Sequence, residues 1–418
     1  MNTLTHLVEQ PQMKNKVELS LSLDIVKKAA REYLHFGHEG GDSVVDVLMA
    51  VPVANKLDAD PLWIQIVAPS AQMKTELCGG YSNYEDAVML SSLTSKTLIS
   101  GRITSNRQNC SLLFKLDGKL LVIKDFTSIL SGRREDRADI FAQFREIYDG
   151  QYSKSFGTGE RISWEGKIGM VVGVTPIIER FWSHNQALGE RFLVYRLRGQ
   201  TQEGSRKVAR KALGKAVGTR AARKTFQWAV STFLGQFDDD IDASIAEDKR
   251  MEEKLANLAT FCAHARTSVI RNSRDQRVEV MPEAEGPGRL AKQFSLLATG
   301  LALVREQNTI DNRIYEILKK VACDTMPQMR RMALATLYFC KPDEWLKTRK
   351  IATRVGIPFS TTKLLLEDLS LLGLVEKDLE GSAQKAAYVW RATDFMRSLA
   401  DESRIFRRTV CLIPDGFA

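Results

Sequence analysis

Short apolar runs separated by helix-patterned stretches fill residues 60–200, and they constrain the fold more than any other feature. Leu62–Val67, Thr97–Gly101, Leu120–Ile123, Gly169–Val174 and Phe192–Arg198 read as strands, being apolar and too short for ordinary helices. Helical patterns lie between them, notably Lys74–Gly79 and Asp136–Tyr148. This alternation predicts an α/β fold, a parallel sheet flanked by helices. Two helices, Leu23–Leu34 and Ser43–Ala54, precede it across a Gly-rich break at Gly37, Gly40 and Gly41. The polar, aperiodic residues 1–18 are predicted to be disordered.

At 418 residues the chain exceeds one ordinary core, so several folding units are expected. The predicted boundaries place an α/β core with its N-terminal helices at 19–200, a helical segment at 201–326 and a small module at 327–418. No run approaches the ~20 apolar residues of a membrane helix, and the N-terminus lacks the apolar block of a secretory signal. A cytoplasmic protein is expected, with no membrane partner. The six cysteines are scattered without a CxxC pair, which predicts reduced, mostly buried thiols. His35, His38 and Glu39 form a loose HxxHE, but the glycines that follow mark a loop rather than a metal site.

The first strand runs into Ala68-Pro69-Ser70-Ala71-Gln72-Met73-Lys74-Thr75, which then opens a helix. That placement is what a phosphate-binding loop needs. Backbone N–H groups wrap the phosphates, a lysine reaches the outer ones, and a Thr hydroxyl binds Mg²⁺. Lys74-Thr75 stands at the right offset, whereas Ala68 and Met73 occupy positions where glycine is usual. Glycine is favoured there because a Cβ resists positive φ and blocks close approach. About 50 residues on, Leu120–Ile123 runs into Lys124-Asp125, an apolar strand ending in a carboxylate able to hold the metal or its water.

The order of these segments resembles the core of AAA+ ATPases. The stretch from Phe144 to Gly159, followed by Lys167–Pro176, is similar to the helix, hairpin and sensor-1 strand of enhancer-binding activators and minichromosome maintenance helicases. ATPases of phages and other mobile elements carry comparable KDFT and GERF segments. The resemblance implies ATP and Mg²⁺ as cofactors, with Ala68 to Thr75 around the nucleotide and Thr75 and Asp125 on the metal. It implies Thr175 as sensor 1, and Arg191, within Leu188–Phe192, as an arginine finger acting in trans in a homo-oligomer. Arg289 would open the lid helix Leu290–Val304 as sensor 2. The usual acidic pair appears here as Lys124-Asp125-Phe126, so that either Lys124 stands for the first acid or Phe126 for the second, leaving one acidic role to Glu135 or Asp136. A replication, helicase-loading or remodelling role on DNA is implied, or a non-catalytic DNA-binding regulator that keeps the scaffold for assembly.

Residues 205–224 carry eight basic side chains and no acidic one, with Lys207, Lys211 and Lys215 at i, i+4 spacing. Either this stripe contacts phosphates, or it is a solvated helix offset by the later Asp238, Asp239, Asp240 and Asp242. In the last module, helices at Met332–Phe339, Asp343–Val355 and Thr361–Leu372 precede a hairpin of Leu374–Lys377 and Ala387–Trp390. Ser360 is expected to cap the third helix and Gly373 to stop it. The pattern is that of a winged helix-turn-helix. Thr361, Thr362 and Lys363 would lead the recognition helix and Lys377 and Lys385 the wing, contacting DNA. The alternative is a winged helix that contacts protein. The net charge of +9 favours DNA.

Overall fold

The computed structural model describes residues 21–34, 42–70, 72–100, 111–156, 161–181, 191–197, 202–214, 218–239, 241, 245–246, 248–272, 274–381 and 386–406. The chain divides into two compact, discontinuous units. One comprises 1–178, 195–245 and 299–308, the other 179–194, 246–298 and 309–418. The segment 201–326 is thereby shared between them. The expected disorder of residues 1–18 and the HxxHE motif lie outside the described residues.

The chain holds a five-stranded parallel sheet flanked by helices, as the alternation predicts. Its strands are β1 (Trp63–Val67), β2 (Ala87–Leu90), β3 (Leu120–Ile123), β6 (Gly169–Val174) and β7 (Phe192–Arg196), in the order β2-β3-β6-β1-β7. β1, β3 and β6 are buried along their whole length. Strands covered on both faces need apolar residues at every position, which is why they read as continuous runs. An antiparallel hairpin, β4 (Gln151–Ser155) with β5 (Arg161–Glu165), stands apart from this sheet. Helices α1 (Leu23–Tyr33), α2 (Ser43–Asn55), α3 (Lys74–Gly79), α4 (Ser95–Leu98), α5 (Thr127–Leu130) and α6 (Arg134–Tyr148) complete its first half. Trp63 locks β1 to this layer. Its ring meets Phe144 and Tyr148 edge-on at 5.7 and 5.1 Å, and its Nε1 donates to the Ile168 carbonyl at 2.6 Å.

One expected strand is overturned. Ser95–Leu98 is a helical turn, because Thr94 and Thr97 form a reciprocal capping box whose hydroxyls lie 2.9 Å apart. Side-chain capping outweighs the β preference of Thr-Leu-Ile here. The strand beside β3 is instead β2, the short apolar run Ala87–Leu90, half-buried throughout at the sheet edge.

The short α7 (Ile178–Phe181) precedes β7, and after β7 come the helices α8 (Gln202–Gly214), α9 (Thr219–Leu234), α10 (Lys249–Arg266), α11 (Gly288–Val304) and α12 (Asn312–Thr325). The second unit ends in α13 (Gln328–Tyr338), β8 (Leu346–Lys347), α14 (Thr348–Val355), α15 (Phe359–Leu371), the antiparallel hairpin β9 (Val375–Glu380) and β10 (Ala387–Ala392), and α16 (Asp394–Ser403). Two expectations are corrected in this module. Residues 346–347 pair with β10, so the second helix starts only at Thr348. Pro358, not Ser360, is the N-cap of α15, because proline's fixed φ suits a helix start and Ser360 already lies inside. Gly373 stops it with φ +75°, as expected. The cysteine expectation also needs correction. Cys78, Cys262 and Cys340 are free, but Cys323 is disulfide-bonded to a partner outside the described residues.

In the first unit α11 approaches α2 at Gly300, where an added Cβ would stand 2.6 Å from the Ala50 carbonyl oxygen. Backbone cannot yield as a side chain does. Gly300→Ala is expected to lower stability by about 1–3 kcal/mol in a denaturant titration; an unchanged midpoint would contradict this packing.

Candidate functional site

In this sheet the chain leaves β1 for β2 on one side, while β7 lies on the other. Such a reversal opens a crevice at the carboxyl ends of the strands, where open α/β sheets bind ligands. β6 lies between β1 and β3, so the residues following these three strands are brought together. They are the Ala68–Lys74 loop, Lys124-Asp125 and Thr175.

The loop leaves β1 with Ala68 N–H donating to the Val174 carbonyl at 3.1 Å. Pro69 and Ser70 are exposed, Gln72 and Met73 half-buried, and Ala71 lies outside the described residues. Met73 takes left-handed backbone, φ 56° and ψ 0°, immediately before α3. The turn that glycine normally makes is thus kept with a methionine, at a cost of roughly 1–2 kcal/mol. Lys74 follows with only 7% of its surface exposed, and its Nζ donates to the Pro69 carbonyl at 3.0 Å. Burial pushes its pKa below the usual lysine value, while the charge of Asp125 opposes that shift. Thr75 is exposed in the first turn of α3.

Asp125 is exposed at the end of β3, and its Oδ1 accepts from Thr127 N–H at 3.0 Å. Thr127 Oγ1 accepts from Thr175 N–H at 3.1 Å and donates to Thr175 Oγ1 at 3.2 Å. Asp125, Thr127 and Thr175 therefore form one hydrogen-bonded chain across β3 and β6. Thr127 was not among the residues expected at the site. Its position two residues after Asp125, at the start of α5, is the only signal the sequence offers for it. Close approach of the two strand ends depends on Gly173, where a Cβ would lie 2.7 Å from the Lys124 carbonyl.

Of the two residues flanking Asp125, Lys124 is half-buried, and Phe126 is fully buried and stacked on Phe141 and Phe144 at 6.4 and 6.2 Å. Glu135 and Asp136 are exposed in the first turn of α6, outside the Asp125–Thr127–Thr175 chain.

The two expected arginines belong to the second unit. Arg191 is only 8% exposed, and its carbonyl accepts from Gln293 Nε2 at 2.7 Å. A finger reaching another subunit would have to leave that buried position. Arg289 is half-buried in the first turn of α11. Near it in sequence, Arg266 forms a buried two-point pair with Glu285, at 2.7 and 2.6 Å.

The C-terminal module alters the expected DNA contacts. Thr362 is fully buried, its hydroxyl donating to the Pro358 carbonyl at 3.0 Å, so it faces the core and not a ligand. Thr362 shares one helix face with Leu365, Leu366 and Leu369, three, four and seven residues on, and packing of that apolar face carries it inward. Thr361 is half-buried. Lys363 and Lys377 both approach Glu367, at 4.0 and 3.7 Å, and the Tyr388 ring, at 5.2 and 4.0 Å. Asp368 pairs with Arg271 at 2.8 Å and Arg330 at 3.2 Å. Beyond Ser360, no residue of α15 is fully exposed. Lys385 lies outside the described residues.

A scan against known protein families finds no matching family model, and a search of curated proteins finds no match. Among the described residues, no helix is long and apolar enough to cross a membrane, and no group of three or more His, Cys, Asp or Glu side chains could hold a metal ion by itself.

Two consequences are measurable. Met73→Gly removes the left-handed cost but adds roughly 0.5–1 kcal/mol of glycine entropy. Stability is therefore expected to stay level or rise by up to about 1 kcal/mol in thermal or denaturant unfolding. A clear fall would contradict the left-handed turn. Burial also pushes the Cys78 and Cys262 thiols from 9.0 up to about 12. The folded state binds these protons more tightly than the unfolded one, so their contribution is intact below pH 9 and is lost as pH rises toward 12. Each costs up to about 1.4 kcal/mol per pH unit in that window. Cys78→Ala with Cys262→Ala should flatten the alkaline limb of a stability–pH curve; an unchanged limb would refute the assignment.

Proposed function

We propose that the chain is an ATP-binding P-loop protein of the AAA+ kind that acts on DNA. The observation that carries this is the convergence of Lys74, Asp125 and Thr175 at adjacent strand ends, beside a left-handed turn at Met73. A lysine, a carboxylate and a hydroxyl around a backbone turn are what a triphosphate and its magnesium ion require. The residues fit that group: Lys74 is held at the crevice by a single bond to a carbonyl, and Asp125 is exposed with one oxygen engaged.

In this reading Lys74 binds the outer phosphates, Thr75 and Asp125 hold the magnesium ion, and Thr175 positions a water. The bound metal would supply charge neutralisation at the phosphates. Arg191 and Arg289 would complete the site in a homo-oligomer, and the last module would be a winged helix. The basic excess of the chain favours DNA as the polyanion. A second reading, a non-catalytic DNA-binding regulator on the same scaffold, is favoured by Phe126. That residue puts a core phenyl ring where the second acid is expected.

Equilibrium titration with Mg-ATP tests the proposal. The native chain is expected to bind, and Lys74→Ala to bind at least tenfold more weakly while remaining folded. Equal affinity in the two would exclude the nucleotide site. Binding without turnover would favour the second reading.

A further inference from the structure

Two consecutive helices of the first unit carry seven basic side chains that are all exposed. On α8, Arg206, Lys207, Arg210 and Lys211 are all exposed, and the first turn of α9 adds exposed Arg220, Arg223 and Lys224. Lys207 pairs with Glu203 at 2.9 Å, and Arg223 Nε donates to Tyr33 Oη at 2.8 Å. The other five enter no hydrogen bond or ion pair with a described residue. The acidic run does not offset them where it is described, since Asp239 is held by Lys56 at 2.6 Å.

At ~100° per residue the four basic positions of α8 fall within a sector of about 140°. The rest of its circumference carries Ser205, Val208, Ala209, Ala212 and Leu213, and Leu213 is 80% exposed. From Glu203 to Gly214 only Gly204 and Val208 are not fully exposed. A helix so free of covering chain, with small side chains behind its basic face, is narrow enough for the ~12 Å major groove of B-form DNA. The deep, narrow major groove of A-form RNA would not admit it. A bilayer surface calls for large apolar or aromatic residues, and Leu213 stands alone in that role. Just beyond, Phe226, Val230 and Phe233 anchor α9 in the core of the unit.

We propose that α8 and the first turn of α9 are the surface that contacts the phosphates of duplex DNA, with α8 lying in the major groove. This rests on the DNA part of the function proposed above and is independent of the nucleotide site. Of the candidate cations in the last module, the two that are described, Lys363 and Lys377, both approach Glu367 and Tyr388.

The test is fluorescence anisotropy with a labelled DNA duplex across about 0.05–0.3 M salt, since each phosphate contact adds about 0.9 to the salt slope. It compares the full chain, the triple variant Arg206→Gln, Arg210→Gln, Lys211→Gln, and the double variant Lys363→Gln, Lys377→Gln. Glutamine is a good helix former, so an unchanged melting curve verifies that the triple variant is folded. The triple variant should flatten the slope by about 3 and weaken binding on the order of a hundredfold at 0.1 M salt. Its Mg-ATP affinity should be unchanged, and the double variant should keep the native slope. A native slope in the triple variant, with loss in the double one, would overturn the surface and leave the DNA reading standing. Absence of duplex binding by the native chain would overturn both, as would tighter binding to phosphatidylserine vesicles than to DNA.

Discussion

Everything at the candidate site depends on one pairing, that of β1 with β6 from Trp63↔Met170 to Val67↔Val174. With β6 inserted between β1 and β3, three segments more than 40 residues apart in sequence end side by side. Without that insertion Thr175 could not meet Thr127, and Asp125 would face a different neighbour. The pairing is stabilised by burial on both faces. Each fully buried Val, Leu or Ile side chain contributes about 1.5–3 kcal/mol relative to exposure, and Trp63 fastens the strand to the helical layer at its far end.

Beside that rigid base the two segments that follow β1 and β3 are held in different ways. At Met73 the chain takes a left-handed turn with a residue that has a Cβ, at a local conformational cost. At Phe126 a ring stacked on Phe141 and Phe144 supports the core directly after the exposed Asp125.

The buried strands were legible in the sequence because a parallel sheet covered on both faces requires unbroken apolar runs. β3 and β6 match the expected bounds, and β1 and β7 come within two residues of them. What escaped was local or long-range. The capping box at Thr94 and Thr97 is a side-chain effect that overrides β preference. Edge strand β2 is apolar but only half-buried, and no strand was expected over Ala87–Leu90. At the site, Lys74, Asp125 and Thr175 were visible from offset and context, whereas Thr127 matters only once β3 and β6 are adjacent. The burial of Thr362 was legible in principle, since it stands three, four and seven residues before the buried Leu365, Leu366 and Leu369 and so shares their face.

The account's central claim is that Lys74, Asp125 and Thr175 surround one triphosphate. A crystal structure of the chain with a non-hydrolysable ATP analogue and magnesium tests it most directly. Phosphate density is expected against Lys74 Nζ and the backbone N–H groups of residues 73–75, with the metal between Thr75 and Asp125. Nucleotide bound elsewhere, or none at saturating concentration with Lys74 still on the Pro69 carbonyl, would contradict it.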